Sequence, residues 1–402
     1  MTLNHHRYIV AGSVLVDMLG YGLIMPLLPF MVQKWGGNAT IIGLLGSLYA
    51  LMQLLAAPLL GALSDRVGRR PVILGCLFGS ALAYSWLALA DSLPLLAAAI
   101  ALGGVAGSSM PVAQAYIADV TSPTERTHGF GLLGAAFGLG LIGGAAIGGF
   151  LSQFGLALPP LVAATIALSN AIYASIVLPE SLPPMRRHAS SLPFRNLFGS
   201  ALIALQASSV RPLLIAVMLL NITFAGLQSN IALYTLTRFG WGPDQNAILF
   251  VFVGLCAALT QGVLIGKLQS RLGDAWLASG GLGLMALAFA FVSGVYTDWL
   301  LFPLAALLAI GMGLAVPAIT SLVSRQAGEN RQGIVLGGMQ ALISVALLIG
   351  PASFGFLFDR FGSTTPYLAG GMLLIGAWLM TTITIANPSI LIRSAEDPEA
   401  QV

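Results

Sequence analysis

"GALSDRVGRR", residues 61–70, holds four charges, Asp65, Arg66, Arg69 and Arg70, in a chain that is only 8% charged. The runs on either side, 41–60 and 72–90, carry no charge at all. Each is about 20 residues long, the length an α-helix needs to cross a ~30 Å hydrocarbon core at 1.5 Å per residue. A knot of charge between two such runs reads as a short loop joining two membrane spans. The rest of the chain agrees. Of its 402 residues 57% are hydrophobic, too many for a soluble surface of that size. Forty-eight glycines and little period-two alternation point to helices rather than a barrel.

Twelve spans are expected: 7–32, 41–63, 72–90, 93–118, 128–152, 157–179, 212–237, 245–266, 276–296, 299–324, 333–358 and 366–387. The first apolar run is too long for a signal-peptide core and has no convincing cleavage site, so it counts as a span. An even number of spans puts both termini on one side. With the termini in the cytoplasm, fourteen of the seventeen Lys and Arg residues lie inside, and only Lys34, Arg238 and Arg360 lie outside. The positive-inside rule then fixes that orientation. The basic residues sit in short loops, so the net charge of +3 is a topology signal and not a nucleic-acid surface. Cys76 and Cys256 both fall in apolar runs, and no CxxC or Cys/His cluster predicts a metal or another cofactor.

The expected organisation is an N-terminal six-helix bundle at 1–180, a cytoplasmic central loop at 181–211, a C-terminal six-helix bundle at 212–387 and a cytoplasmic tail at 388–402. The loop opens on "PESLPPMRRH" (179–188), whose prolines stop a helix. Beyond it Phe194, Leu197, Phe198, Ala201, Leu202 and Leu205 recur at helical spacing, as in an amphipathic helix lying on the membrane surface; a plain linker is the alternative. The halves look related. A shift of 205 lays Gly61, Leu63, Arg66 and Gly68 over Gly266, Leu268, Arg271 and Gly273, and Arg126 over Arg331. Internal repeats of membrane helices mark transporters, with the substrate site near mid-membrane at the repeat interface. In the second copy, "GKLQSRLGD", Ser270 stands where Asp65 does and Asp274 where Arg69 does, so a full set of loop contacts is expected in the first half only.

Asp17 is the acidic residue that falls deep within a span, about ten residues into the first and so roughly 15 Å from its end. Ionisable groups at that depth are costly and mark function. It reads as a proton carrier or a partner for a cationic group; a structural carboxyl held by hydroxyls and backbone is the alternative.

"GALSDRVGRRP" between spans two and three resembles the loop motif of the major facilitator superfamily, G-x-L-x-D-R-x-G-R-R/K. The resemblance covers the whole chain and implies an all-α membrane protein of two pseudo-symmetric six-helix bundles. A narrower one is carried by "DMLGYGLIMPLLP" (17–29), "LYALMQLLAAPLLGALSDRVGRRPV" (48–72), "YIADVTSPTER" (116–126), "FGLGLIGGAAIGGF" (137–150), "GLAVPA" (313–318) and Gly350–Pro351. These look like tetracycline-efflux proteins and related drug–proton antiporters. They imply export of a small, mostly apolar compound in exchange for protons, by a monomer in the lipid bilayer of the bacterial inner membrane.

The resemblance also implies residue roles. Gly61, Asp65, Arg66, Gly68, Arg69, Arg70 and Asp119 form a gate, with Asp65 near the start of span eleven and Arg69 paired with Asp119, contacts made when the inner side is shut. Spans one, four, seven and ten line the cavity. Candidates there are Tyr21, Phe30, Gln114, Tyr116, Asn221, Phe224, Gln228 and Asn230, joined by Gln53, Gln261 and Gln340 from neighbouring spans. Gly140, Gly144, Gly148 and Gly149 pack span five, and Gly350 and Pro351 span eleven. The sequence departs from the subfamily at four positions. Ile100 occupies the position of a span-four arginine, Ala145 that of a span-five proline, and Ala83 and Leu284 those of acidic residues. Proton coupling and the substrate therefore stay open. An uncoupled facilitator or importer of a neutral metabolite on the same fold is the main alternative. No HExxH, catalytic GxSxG or paired carboxylates support an enzyme.

Overall fold

The computed structural model describes residues 3–122, 125–183, 185, 187, 194–207, 210–327 and 331–386. The expected tail at 388–402 and the inward-counted Arg186 and Arg393 lie outside the described residues. Those residues are almost wholly helical: α1 (Leu3–Ile24), α2 (Leu28–Lys34), α3 (Ala39–Val67), α4 (Arg69–Leu89), α5 (Leu93–Ala106), α6 (Met110–Val120), α7 (Arg126–Ser152), α8 (Leu158–Val177), α9 (Phe194–Gln206), α10 (Arg211–Phe239), α11 (Pro243–Leu259), α12 (Ile265–Val292), α13 (Leu301–Gln326), α14 (Gln332–Phe361) and α15 (Thr365–Ala386). Eleven stretches among the described residues are long and apolar enough to cross a membrane. One of them, Pro243–Val292, runs for 50 residues, and Gly273 at φ 77° breaks it into two passes. That makes the twelve spans read from the sequence, in an all-α membrane protein.

Local chemistry sets the helix ends. Asn38 caps α3 by accepting the Ile41 amide at 3.0 Å. Prolines open α5 and α8, where a missing N–H costs nothing. Among the described residues six glycines take positive φ, and they fall into three pairs: Gly36 and Gly240, Gly68 and Gly273, Gly155 and Gly362. The separations are 204, 205 and 207 residues, so the same three turns recur in each half at nearly the shift found in the sequence. Among the described residues two spans are interrupted by a 3₁₀ turn. Span one tightens into a 3₁₀ turn at Met25–Leu27, around Pro26. Span four does so at Gly107–Ser109, where Ser108 leaves the helical region (φ −83°, ψ 22°). Pro111 follows and cannot donate to the carbonyl four residues back.

The described residues form two compact units. One holds those up to 193 together with 240–254; the other holds those of 194–239 and from 255 onward. In the first, α1 packs along α7 and α8, and α4 packs between α5 and α8. In the second, α10 packs along α14 and α15, and α12 along α13 and α15. The α9 helix lies against α14. The closest approach in the first unit is a glycine ladder. A Cβ on Gly140, Gly144 or Gly148 would run into the carbonyl oxygens of Leu15, Leu19 and Leu23, so α7 lies backbone to backbone on α1. Gly149 abuts the side chain of Ala247 of α11. In the second unit Gly350 meets the backbone of Ile222 at 2.5 Å, measured from an added Cβ, with Pro351 buried beside it.

Candidate functional site

The first cluster forms around the loop motif. Gly68 adopts φ 110°, ψ 160°, a region essentially reserved for glycine, and turns the chain from α3 straight into α4. The first amides of α4 would lack partners. Glu180, just past α8, supplies them: its carboxylate accepts the Arg69 amide at 2.8 Å and the Arg70 amide at 3.3 Å. A carboxylate at a helix N-terminus is favoured by the helix dipole as well. A side chain on Gly68 would collide with that carboxylate. Glycine is needed there twice over, for its torsion and for its size.

Arg69 is the hub. Its guanidinium pairs with Asp65 at 2.6 Å and with Asp119 at 3.3 Å, and donates to the Ser64 hydroxyl at 2.6 Å. Ser181 also donates to Asp119, at 3.1 Å. Arg70 reaches the Ser175 carbonyl at 2.5 Å, and Arg187 stands 4.0 Å from Glu180. The ends of α3, α4, α6 and α8 are thereby tied into one charged knot. The Arg69–Asp119 pairing expected from the motif is present within this unit. Glu180 was not anticipated: in the sequence its segment carries only the signal of a proline-rich helix stop. The clue was an acid directly after a span, in a loop otherwise basic.

Tyr116 does not join a cavity. It is fully buried, and its hydroxyl donates to the Pro179 carbonyl at 3.0 Å, which ties α6 to the same knot.

The second half has its own knot, with the charges reversed. Asp274 follows Gly273 as Arg69 follows Gly68. It pairs with Arg325 at 2.9 Å and accepts from Ser321 at 2.6 Å and Gln269 at 2.8 Å. Asp274 is buried, whereas Arg325 is largely exposed. A smaller set of contacts thus forms in the second half as well, beside the full set expected in the first. Losing the arginine in the repeat did not abolish the contact, because the partner at the end of span ten changed sign too. The signal was legible: the shift lays Asp119 over Ser324, and Arg325 is the next residue.

A polar patch lies deep in the first unit. Asp17 is only 4% exposed, in the middle of α1. Ser109, at the break in span four, donates to it at 3.4 Å, and Ser80 of α4 faces the same carboxylate. Among the described residues no arginine or lysine pairs with it. One turn further, the rings of Tyr21 and Tyr49 lie 5.4 Å apart. Gln53 donates to the Tyr49 hydroxyl at 3.5 Å and to the Gly107 carbonyl, exposed by the break, at 3.4 Å. Tyr84 closes on α1 where Gly20 leaves room for its ring. The structure thus brings Asp17, Tyr21 and Gln53 together, and adds Tyr49, Tyr84, Ser80 and Ser109. Gln114 is exposed on α6.

The remaining candidates lie in the second unit. Asn221, Phe224 and Gln228 are half-buried along α10, and Asn221 donates to the Val217 carbonyl at 2.8 Å. Asn230 is fully buried. Its amide nitrogen donates to Gly226 at 3.4 Å, and its side-chain oxygen has no partner. Gln261 sits exposed in a π-turn at Thr260–Leu264, and Gln340 is exposed on α14.

Comparison with known proteins agrees with this architecture. The model of the Major Facilitator Superfamily matches residues 10–351 and again 238–399. The chain is 36% identical to the class D tetracycline resistance protein of Salmonella ordonez over 94% of its length and 95% of that protein's. It is 32% identical to the class C tetracycline resistance protein of Escherichia coli, over 96% of this chain and all of the other. The crystal structure of the human organic anion transporter MFSD10 (TETRAN) superimposes with a TM-score of 0.71 at 26% identity, covering 95% of this chain and all of that one. With two half-chain repeats, a matching loop motif and relatives aligned end to end, the chain belongs to the major facilitator superfamily and is a membrane transporter, not an enzyme.

Proposed function

We propose that this transporter exports a small amphiphilic, drug-like compound in exchange for protons, by alternating access, acting as a monomer in the bacterial inner membrane with both termini cytoplasmic. The observation that carries the reading is Asp17, a buried carboxylate in mid-span, surrounded by hydroxyls and without a basic partner among the described residues. Such a group holds a proton or a positively charged ligand at modest cost and an unpaired negative charge at high cost. Loading and unloading it is a means of coupling. The rings of Tyr21 and Tyr49 beside it offer flat apolar area with polar tips, suited to a planar amphiphile. Resistance proteins among the relatives support efflux of drugs as the physiological task.

The arginines of the loop motif support the cytoplasmic placement of that knot. In this reading, Arg69 with Asp65 and Asp119 biases the transporter toward one of its two states through contacts made only there. Tetracycline itself is a poorer assignment than a weakly cationic amphiphile. The acids of tetracycline pumps are replaced by Ala83 and Leu284, and almost no buried basic group is available for a strong anion.

A second reading, an uncoupled facilitator or importer of a neutral metabolite, draws on Ile100, a buried apolar side chain where related antiporters carry arginine. A drug-susceptibility panel in an efflux-deficient bacterium separates the two. Export predicts raised tolerance to at least one class of amphiphile, returning to baseline with Asp17→Asn at equal expression. A facilitator predicts no tolerance in either case.

A further inference from the structure

The hydroxyl oxygen of Ser13 is buried and has no hydrogen-bond partner. It sits one turn before Asp17 on α1, so both side chains lie on one face of the helix. Beside them is a small cavity of about 10 Å³, lined by Ser13, Asp17 and Ser109 and by the apolar side chains of Val10, Val14, Ile73, Leu77 and Ala113. That is room for one small ion or one water molecule. A buried hydroxyl left unpaired beside a buried carboxylate is costly twice, unless something oxygen-seeking sits between them.

We propose that this cavity is a sodium site, ligated by the Asp17 carboxylate and the hydroxyls of Ser13 and Ser109, with Ser80 of α4 steadying the carboxylate from its other side. The inference rests on the reading of Asp17 as the coupling residue and names a second ion for it. All the donors are hard oxygens, the ligand type that suits cations of this kind. There is one carboxylate, so a monovalent ion neutralises the site, whereas a divalent one would leave a net buried charge. The position also fits. Span four breaks at Gly107–Ser109, and broken membrane helices are where coupling ions bind in transporters. The break is what turns Ser109 toward Asp17. Sodium and a proton neutralise the same carboxylate, so they compete for it. The titratable groups near it are Tyr21 on α1 itself, Tyr49 on α3, and Cys76 and Tyr84 on α4. On α8, Asn170 donates to the Ser13 carbonyl at 3.3 Å.

The test is the thermal stability of the purified full-length protein in detergent, titrated with NaCl, KCl or choline chloride at constant ionic strength. The proposal predicts saturable stabilisation by sodium alone, with half-saturation moving to higher sodium as the pH falls. Asp17→Asn should remove it, and Ser13→Ala should raise the half-saturating concentration severalfold. Equal effects of the three salts, or a sodium effect that survives in Asp17→Asn and is unmoved in Ser13→Ala, would overturn it. Substrate–proton exchange in sodium-free vesicles keeps the two readings apart. Intact exchange with no sodium response removes the sodium site alone, whereas absent exchange removes the proton-coupled reading.

Discussion

Gly68 shows how one residue sets the geometry of the charged knot around the loop motif. Its torsion belongs to a region that costs other residues about 1–3 kcal/mol, and Gly273 shares it in the second half. The two differ in what surrounds them. A side chain at Gly68 would meet the Glu180 carboxylate, whereas one at Gly273 meets open space. Gly68→Ala should therefore lower the melting temperature clearly more than Gly273→Ala, and also slow transport, because displacing Glu180 uncaps α4. Equal effects of the two substitutions on melting and on transport rate would show that torsion alone matters. The glycine was conspicuous in the sequence because the motif contains it, but its partner was not. A carboxylate contributed from 112 positions away by a loop leaves no local pattern.

At the scale of elements, two features follow from close packing. The ladder of Gly140, Gly144 and Gly148 seats α7 on the backbone of α1, the helix that carries Asp17. Replacing Gly144 with alanine forces the helices apart, at a cost of about 1–3 kcal/mol for an overpacked contact. Gly143, next in sequence, faces open space, and Gly143→Ala should be neutral in the same melting assay. The second feature is the reversed pair, Asp274 with Arg325. Asp274→Arg and Arg325→Asp should each reduce transport and stability, and the double substitution should recover part of both. A double mutant no better than the sum of the singles would reduce the pair to a fortuitous contact.

The spans themselves were legible because twenty apolar residues between charges have few other uses in a protein. The facing of each helix was not. A membrane helix is apolar all round, so periodicity does not say which side meets a neighbour and which meets lipid. Tyr116 is the clearest casualty. By type and by its span it is a cavity residue, yet its hydroxyl is bound to Pro179 within the protein. Ser13 and Ser109 were equally hard to see, since a serine among alanines and glycines marks nothing until the break in span four aims one of them at Asp17.

At the scale of the whole molecule, the recurrence of three glycine turns at nearly one separation shows a chain built twice. The copies have diverged in chemistry. The first half keeps the full loop motif and the buried carboxylate. The second keeps the turn, reverses the ion pair, and lines α10 with amides that mostly satisfy themselves within the helix. On the proposed function, this asymmetry would put ion coupling in the first half. The most direct test is exchange in everted membrane vesicles carrying the wild-type protein or Asp17→Asn, with an imposed pH gradient and a fluorescent amphiphilic cation as substrate. The account predicts gradient-driven uptake into wild-type vesicles, with proton release from the lumen when substrate is added. It predicts neither with Asp17→Asn at matched protein levels. Uptake driven equally well by the gradient in the variant would contradict it.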